Sequence, residues 1–304
     1  MAVSTRSDRS RRWTVRSWLV RLVPAVLAGL AIALAIDIVR DGGIDTWLIR
    51  HRLPPPYVAS GSRIVVNRIP TYIDCRGAGS PTVVLESGLG TGAAGWGFVL
   101  ERLAEAGVRV CSWDRPGIGN SEPMGLHGAV ELAEHLRATL DAAGERGRFV
   151  IVGHSLGGVY ARVFAARYRD EVVGIALIDP YLPDVRPIEL VNVEPALRDE
   201  WLAGLDATNR QVAATEDLDW DAVEAELAAA SIDGLPLELV FVDQRLRWDE
   251  RFDPWEADLI ETWRSMVLGL STNSHLTIAE YSTHMIQWDR PDLVVEAILR
   301  LAAP

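Results

Sequence analysis

Residues 149–158 read FVIVGHSLGG and decide the fold of this chain. Four apolar residues predict a short buried strand, and the strand runs directly into a Gly-His-Ser-Leu-Gly turn centred on Ser155. Glycines at both ends permit a sharp turn and let strand and helix pack closely, which exposes the serine hydroxyl. Ser155 is therefore a candidate nucleophile. The simpler interpretation is a serine that caps a helix, and the pentapeptide alone does not decide between the two.

A serine nucleophile needs a base, and where such a serine lies on a turn between a strand and a helix, the base follows it along the sequence. Only His275 and His284 follow Ser155. His284 comes after a β-favouring stretch and before an apolar helical pattern, so we expect it in a loop at the end of a strand. His275 is expected to begin that strand and to face solvent. The sequence therefore favours His284 as the base.

A serine nucleophile also needs hydrogen-bond donors for the oxyanion that develops on the substrate, and backbone amides can supply them. The amide of Leu156, directly after the serine, is the first candidate. Residues 82–86 read TVVLE and predict an earlier strand, which ends in the glycine-containing loop SGLG at 87–90. The amide of Leu89 in this loop is the second candidate, although the loop could also be an ordinary glycine turn.

These segments, with WDRPGIGNS at 113–121 and the His284 region to residue 298, resemble the α/β-hydrolase superfamily of esterases, lipases and haloperoxidase-like enzymes. The resemblance covers about residues 63–303. It implies an α/β fold in which an eight-stranded, mostly parallel, doubly wound sheet carries a helical cap. Ser87 departs from the family pattern, because many members have histidine there, and this departure leaves the hydrogen bonding of the loop open.

The resemblance implies an acid at the end of one of the two strands that follow the turn. Asp179 ends the first of these strands, and Asp243 ends the second. Many relatives carry the acid a little beyond the second strand, where this chain has Arg245, so Asp179 is favoured and Asp243 is the alternative. Asp179 could also be a turn former before proline. Asp249 and Asp253 are the remaining candidates.

The expected function is hydrolysis of a carboxylic ester, possibly lipid-like, through a Ser-His-Asp triad and an acyl-enzyme. The same triad could cleave a lactone, an amide or a carbon–carbon bond. The alternative from another class is a module that binds or senses a small molecule without turnover. A net charge of −12 argues against a nucleic-acid partner. No cofactor and no metal are expected, and His127 and His135 are interpreted as surface residues.

The amino terminus predicts a membrane protein. Residues 1–21 hold six arginines and one acid, and residues 22–39 are apolar except for Asp37. A helix of this length spans about 27 Å, close to the hydrocarbon thickness of a bilayer. The charge distribution predicts a cytoplasmic amino terminus and an extracytoplasmic catalytic domain on a single-pass protein. The alternative is a signal peptide cleaved near ALA at 33–35, followed by secretion.

The remaining organisation follows from alternating strand and helix patterns. Residues 40–60 predict a stalk, 61–304 the hydrolase domain, and 182–234 a helical cap insertion. The strands are predicted at 63–67, 71–75, 82–86, 108–113, 149–152, 172–178, 237–242 and 276–279. In the sheet order that the resemblance implies, the strands of Cys75 and Cys111 are neighbours, so a disulfide is predicted. Two reduced, buried thiols are the alternative.

Overall fold

A computed structural model of the protein describes residues 58–183, 195–243 and 253–303. The predicted basic terminus at 1–21 and the predicted span at 22–39 lie outside the described residues, as does most of the predicted stalk. Among the residues that are described, no helix combines the length and the apolar character that crossing a bilayer requires.

One eight-stranded sheet organises the described chain, in the order β1-β2-β4-β3-β5-β6-β7-β8. β1 and β2 pair antiparallel, β2 pairs antiparallel with β4, and all other neighbours are parallel. The expected mostly parallel sheet is confirmed, and every predicted strand is found within two residues of its predicted bounds. The strands are β1 Ser62–Val66, β2 Ile69–Arg76, β3 Thr82–Glu86, β4 Val110–Trp113, β5 Phe149–His154, β6 Val172–Ile178, β7 Leu237–Val242 and β8 Ser274–Ala279.

Helices connect the parallel strands, and a short 3-10 turn at Ala93–Trp96 precedes the first of them. The helices among the described residues are α1 Gly97–Glu105, α2 Ala129–Ala142, α3 Gly157–Arg167, α4 Pro195–Glu216, α5 Trp220–Ala229, α6 Asp253–Leu268, α7 Ile286–Asp289 and α8 Pro291–Ala302. α1 packs with α8, whereas α2 packs with α3 and α5, as expected when helices cover both faces of a doubly wound sheet.

The core lies on both sides of the central strands. Every residue of β3, β5 and β7 is buried, which explains why these strands read as nearly continuous apolar runs and not as alternating ones. α4 and α5 lie between β6 and β7 in the chain, where the sequence predicts the helical cap.

Cys75 and Cys111 lie directly opposite each other on the antiparallel pair β2 and β4. Their Cα atoms are 4.0 Å apart, and the structure joins their sulfur atoms at 2.09 Å. The predicted neighbourhood of the two strands is therefore found. Whether the pair is oxidised in the cell stays a prediction.

The surface placement expected for His127 and His135 is wrong. Their exposed fractions are 4% and 2%. His135 lies on the face of α2 that also carries Leu132 and Leu136, and its Nε2 is 2.7 Å from the hydroxyl oxygen of Thr71. Burial lowers the pKa of His135, and nearby His127 lowers it further. The helical spacing of His135 within an apolar stripe is the signal that would have predicted its burial.

Candidate active site

The turn between β5 and α3 holds Ser155 with a φ of +52°, in the left-handed region that non-glycine residues rarely adopt. The flanking glycines are sterically required. A Cβ atom on Gly153 would lie 2.4 Å from the carbonyl oxygen of Gly157, and one on Gly157 would lie 2.4 Å from that of Glu86. The predicted strand, tight turn and helix are therefore present, and the strained backbone presents Ser155 at the carboxyl end of the sheet.

His284 lies in the loop after β8, and its partner is Asp179, at the end of β6. Nδ1 of His284 is 2.6 Å from Oδ2 of Asp179. The side chain of Asp179 is 6% exposed, and that of His284 is 41% exposed. An ionised carboxylate only accepts hydrogen bonds, so Nδ1 carries the proton and Nε2 keeps its lone pair. This is the tautomer that a general base needs.

The other acid candidates are not brought to His284. Asp243 makes no hydrogen bond to that histidine, and within the described residues its Oδ1 atom is buried without a hydrogen-bond partner. Asp249 lies outside the described residues, as does the side chain of Asp253. His275 lies in β8 and is 57% exposed, as the sequence predicts, and its Nδ1 pairs with Glu238 on β7.

His154 immediately precedes the serine and contacts His284, a contact that the sequence analysis did not predict. Its Nε2 donates to the backbone carbonyl of His284 over 2.9 Å, and the two ring centroids are 4.7 Å apart. Burial lowers the pKa of His154 to about 3, and His284 contributes to the lowering. The ring is therefore neutral at physiological pH, so it donates through Nε2 without placing a positive charge beside His284.

The two candidate oxyanion amides lie near the serine. A Cβ atom on Gly88 would be 3.4 Å from Cβ of Ser155, so the loop that carries Leu89 approaches the nucleophile closely. Within the described residues, the amides of Leu89 and Leu156 donate no backbone hydrogen bond. Ser87, at the position where the sequence departs from the family pattern, donates its hydroxyl hydrogen to the carbonyl of Gly92 over 2.8 Å and closes the loop.

Asp114, in the 113–121 motif, has a structural role. Its Oδ1 accepts from the amide of Ala93 over 2.7 Å, and its Oδ2 accepts from the amide of Asn120 over 2.8 Å. A Cβ atom on Gly119 would lie 2.4 Å from Oδ2 of Asp114. The motif therefore ties the chain after β3 to the chain after β4.

The neighbouring Arg115 forms a buried contact that the sequence analysis missed. Its guanidinium pairs with Glu216, the last residue of α4, at 2.6 Å. The two residues are 101 positions apart in the chain, so no local pattern could connect them.

Among the residues that the structure describes, one group has the composition of a metal site. Cys75, Cys111 and Glu145 place one ligand atom each within 4.8 Å of one another. The two sulfur atoms are bonded to each other, and the carboxylate of Glu145 pairs with Arg109. While the two sulfur atoms are bonded to each other, these residues offer a metal no free thiolate.

The site thus brings together a serine on a strained turn, a histidine paired through Nδ1 with a carboxylate, and two backbone amides that donate no backbone hydrogen bond within the described residues. Acyl transfer by a serine uses groups of these kinds. They come from the carboxyl ends of β3, β5, β6 and β8, the edge at which ligands bind open α/β sheets.

Comparison with known sequences gives the family. A family model described as "alpha/beta hydrolase fold" matches residues 81–237, about half of the chain. The chain belongs to this family. The matched region includes the strands that carry Ser155 and Asp179.

Two relatives show the range of similarity. The uncharacterized protein YqjL of Bacillus subtilis is 24% identical over 224 residues, which cover 73% of this chain and 84% of that protein. The 2-hydroxy-6-oxononadienedioate/2-hydroxy-6-oxononatrienedioate hydrolase 1 of Dechloromonas aromatica is 42% identical over 99 residues, which cover 31% of this chain and 34% of that protein. The chain thus matches only about a third of that hydrolase.

A solved structure supports the fold. The thermophilic esterase of Thermogutta terrifontis aligns with a TM-score of 0.52 and 18% identity, over 81% of this chain and 100% of that chain.

Proposed function

We propose that the protein is a serine hydrolase that cleaves carboxylic esters through an acyl-enzyme. Ser155 attacks the carbonyl carbon while Nε2 of His284 takes its proton, and Asp179 stabilises the imidazolium that forms. The amides of Leu89 and Leu156 bind the oxyanion. His284 then protonates the leaving alcohol, and water cleaves the acyl-enzyme by the same steps.

The contact between His284 and Asp179 is the observation that carries this proposal, because a buried carboxylate on Nδ1 orients the ring and fixes its tautomer. A serine nucleophile, and not an aspartate, favours acyl substrates. A module that only binds would not need Ser155 in a strained conformation, since that conformation costs about 1–3 kcal/mol of stability.

The test is ester hydrolysis by the full chain in detergent, with p-nitrophenyl esters of increasing acyl length. Asp179→Asn should lower kcat by about 10⁴, because the amide favours the wrong tautomer of the histidine. Asp243→Asn is the matched control, since it makes the same chemical change on the neighbouring strand, and it should retain kcat within about threefold. The opposite ranking of the two variants would show that Asp243 is the acid. A folded wild-type protein that hydrolyses no ester would refute the ester assignment.

The substrate panel should also include a compound that is cleaved at a carbon–carbon bond. The identity of 42% with the Dechloromonas aromatica hydrolase favours testing the compound named for that relative. Turnover of this compound at a higher kcat/KM than any ester would replace the proposed substrate class while keeping the same catalytic residues.

We also propose that residues 22–39 anchor the enzyme in a membrane with its catalytic domain outside the cytoplasm. This rests on the arginines at 1–21, the apolar run that follows and the cysteine pair, since disulfides persist mainly in oxidising compartments. Mass measurement of the protein from isolated membranes tests the anchor. An intact amino terminus in the membrane fraction is expected, whereas a protein cut near residue 35 and found outside the cell would favour the signal peptide.

A further inference from the structure

A buried ion pair connects the cap helix α4 to the chain after β4. Nε and Nη2 of Arg115 donate to the two carboxylate oxygens of Glu216 over 2.9 and 2.6 Å. Both side chains are only 2% exposed. Desolvation of two charges offsets much of their attraction, so such a pair is weak evidence for stability. Its contacts point instead to a role in holding the backbone near the serine.

Both members of the pair bind the loop that carries Leu89. Arg115 donates from Nη1 to the carbonyl of Ser87 over 2.6 Å and from Nη2 to the carbonyl of Gly88 over 2.9 Å. Oε1 of Glu216 accepts from the amide of Gly90 over 2.9 Å. The Gly88 carbonyl also accepts from the amide and the hydroxyl group of Thr91.

These contacts fix the direction of the Leu89 amide. In a trans peptide the carbonyl and the amide hydrogen point in opposite directions. The carbonyl of Gly88 is held by Arg115, so the amide hydrogen of Leu89, in the same peptide plane, points away from the guanidinium. Glu216 holds the next plane through the amide of Gly90. The ion pair therefore contacts both peptide planes that flank Leu89, and Thr91 also holds the first of them.

The charges around the pair keep it ionised. Burial alone would raise the pKa of Glu216, but Arg115 outweighs this effect and holds the pKa below its usual value. The hydroxyl group of Tyr160, on the helix after the nucleophile, donates to Oε2 of Glu216 over 3.4 Å. The carboxylate of Glu86 lies 3.5 Å from Nη1 of Arg115. Glu216 thus contacts Arg115, α3 and the loop that carries Leu89.

We propose that Glu216 and Arg115 are positioning residues for the oxyanion hole, through which the cap helix controls the transition state. This inference rests on the proposed serine chemistry. When α4 is in place, its last residue holds the guanidinium that binds the Gly88 carbonyl and thereby orients the amide of Leu89. When Glu216 is removed, the loop keeps its chain path, but Arg115 loses its carboxylate partner and the amide of Gly90 loses its acceptor. Removing Glu216 should therefore weaken binding of the transition state and leave binding of the ground-state substrate unchanged.

The test compares two ligands on the full chain in detergent. An alkyl trifluoromethyl ketone forms a hemiketal when Oγ of Ser155 adds to its carbonyl carbon and the hydroxyl proton moves to His284, leaving an alkoxide in the oxyanion hole. The matched methyl ketone binds without forming a stable adduct. Glu216→Ala should weaken the trifluoromethyl ketone by about 100-fold and lower kcat for p-nitrophenyl butyrate by a similar factor. KM and the methyl ketone affinity should stay within about threefold.

Glu216→Gln keeps the volume of the side chain and an oxygen for the amide of Gly90, so it should fold. Its affinity for the trifluoromethyl ketone and its kcat should each fall only about tenfold. Glu145→Gln is the control, because Glu145 is also buried and also pairs with an arginine, Arg109, but does not contact the loop. It should retain the trifluoromethyl ketone affinity even if its melting temperature falls.

The outcomes separate the two proposals. If the wild-type protein forms no adduct, the serine chemistry itself is refuted. If the wild-type protein forms the adduct but folded Glu216→Gln and Glu216→Ala bind the trifluoromethyl ketone as tightly as wild type, the positioning role is refuted. Equal losses for both ketones would also refute it, because they would show a general change of the pocket. Should Glu216→Ala not fold, the Gln variant alone decides, since unchanged affinity overturns the proposal.

Discussion

Glu86 provides a test of the buried charges next to the loop at residues 87–90. It ends β3, is 1% exposed, and accepts from the indole nitrogen of Trp113 over 2.9 Å. Burial raises the pKa of Glu86 from 4.5 to about 7, although Arg115 and Trp113 lower it in part. The variant Glu86→Gln keeps the shape and the acceptor oxygen but removes the titration.

The magnitude follows from the difference between the two pKa values. The folded state binds the proton more tightly than the unfolded state, so the stability that Glu86 contributes is fully present below about pH 4.5. It is lost as the pH rises through about 7. A shift of this size corresponds to about 3 kcal/mol in the free energy of unfolding. Relative to Glu86→Gln, wild type should therefore be about 3 kcal/mol less stable at pH 8 than at pH 4.

The assay is urea unfolding of both proteins at pH values from 4 to 8, with the difference in unfolding free energy plotted against pH. Glu296→Gln is the control for the loss of one carboxyl group, because Glu296 is 68% exposed. A difference curve between wild type and Glu86→Gln that is flat across this range would refute the reasoning. A curve that rises with pH would show that the ion pair with Arg115 dominates burial.

Three further predictions concern stability. Gly153→Ala should cost about 2 kcal/mol or more in urea unfolding, because its Cβ would lie 2.4 Å from the carbonyl oxygen of Gly157; a neutral effect would contradict the tight turn. Reducing the bond between Cys75 and Cys111, which are 36 residues apart, should cost about 3–4 kcal/mol, measured by unfolding with and without reductant. Free thiols in protein taken from its own compartment would refute that bond. His154 has a lowered pKa of about 3, so wild type should lose stability as the pH falls below 6.5, and His154→Gln should lack this component; parallel acid-unfolding curves would contradict it.

The sequence predicts most of the architecture, because the signals are local. The FVIVGHSLGG stretch predicts a strand, a glycine-flanked turn and a helix, and the structure contains β5, the strained Ser155 and α3. Runs of apolar, β-branched residues are also local signals. They predict the buried parallel strands because both faces of these strands are covered. His284 is predictable because a loop after the last strand contains it.

The rest depends on contacts between distant residues. Asp179 and Asp243 both end strands, so the sequence alone leaves the acid open, and only the folded sheet shows which carboxylate reaches His284. The pairing of Arg115 with Glu216 joins residues 101 positions apart. The bond from His154 to the carbonyl of His284 spans 130 positions. Side-chain direction and long-range packing decide these contacts, and neither has a periodic signature in the sequence.

The most direct test of the central claim is to react the full chain with a fluorophosphonate and to locate the adduct by mass spectrometry. The account predicts one adduct, on the peptide that contains Ser155, which disappears in Ser155→Ala and forms at least about 100-fold more slowly in His284→Ala. An unmodified wild-type protein that is demonstrably folded, or an adduct that persists in Ser155→Ala, would contradict it.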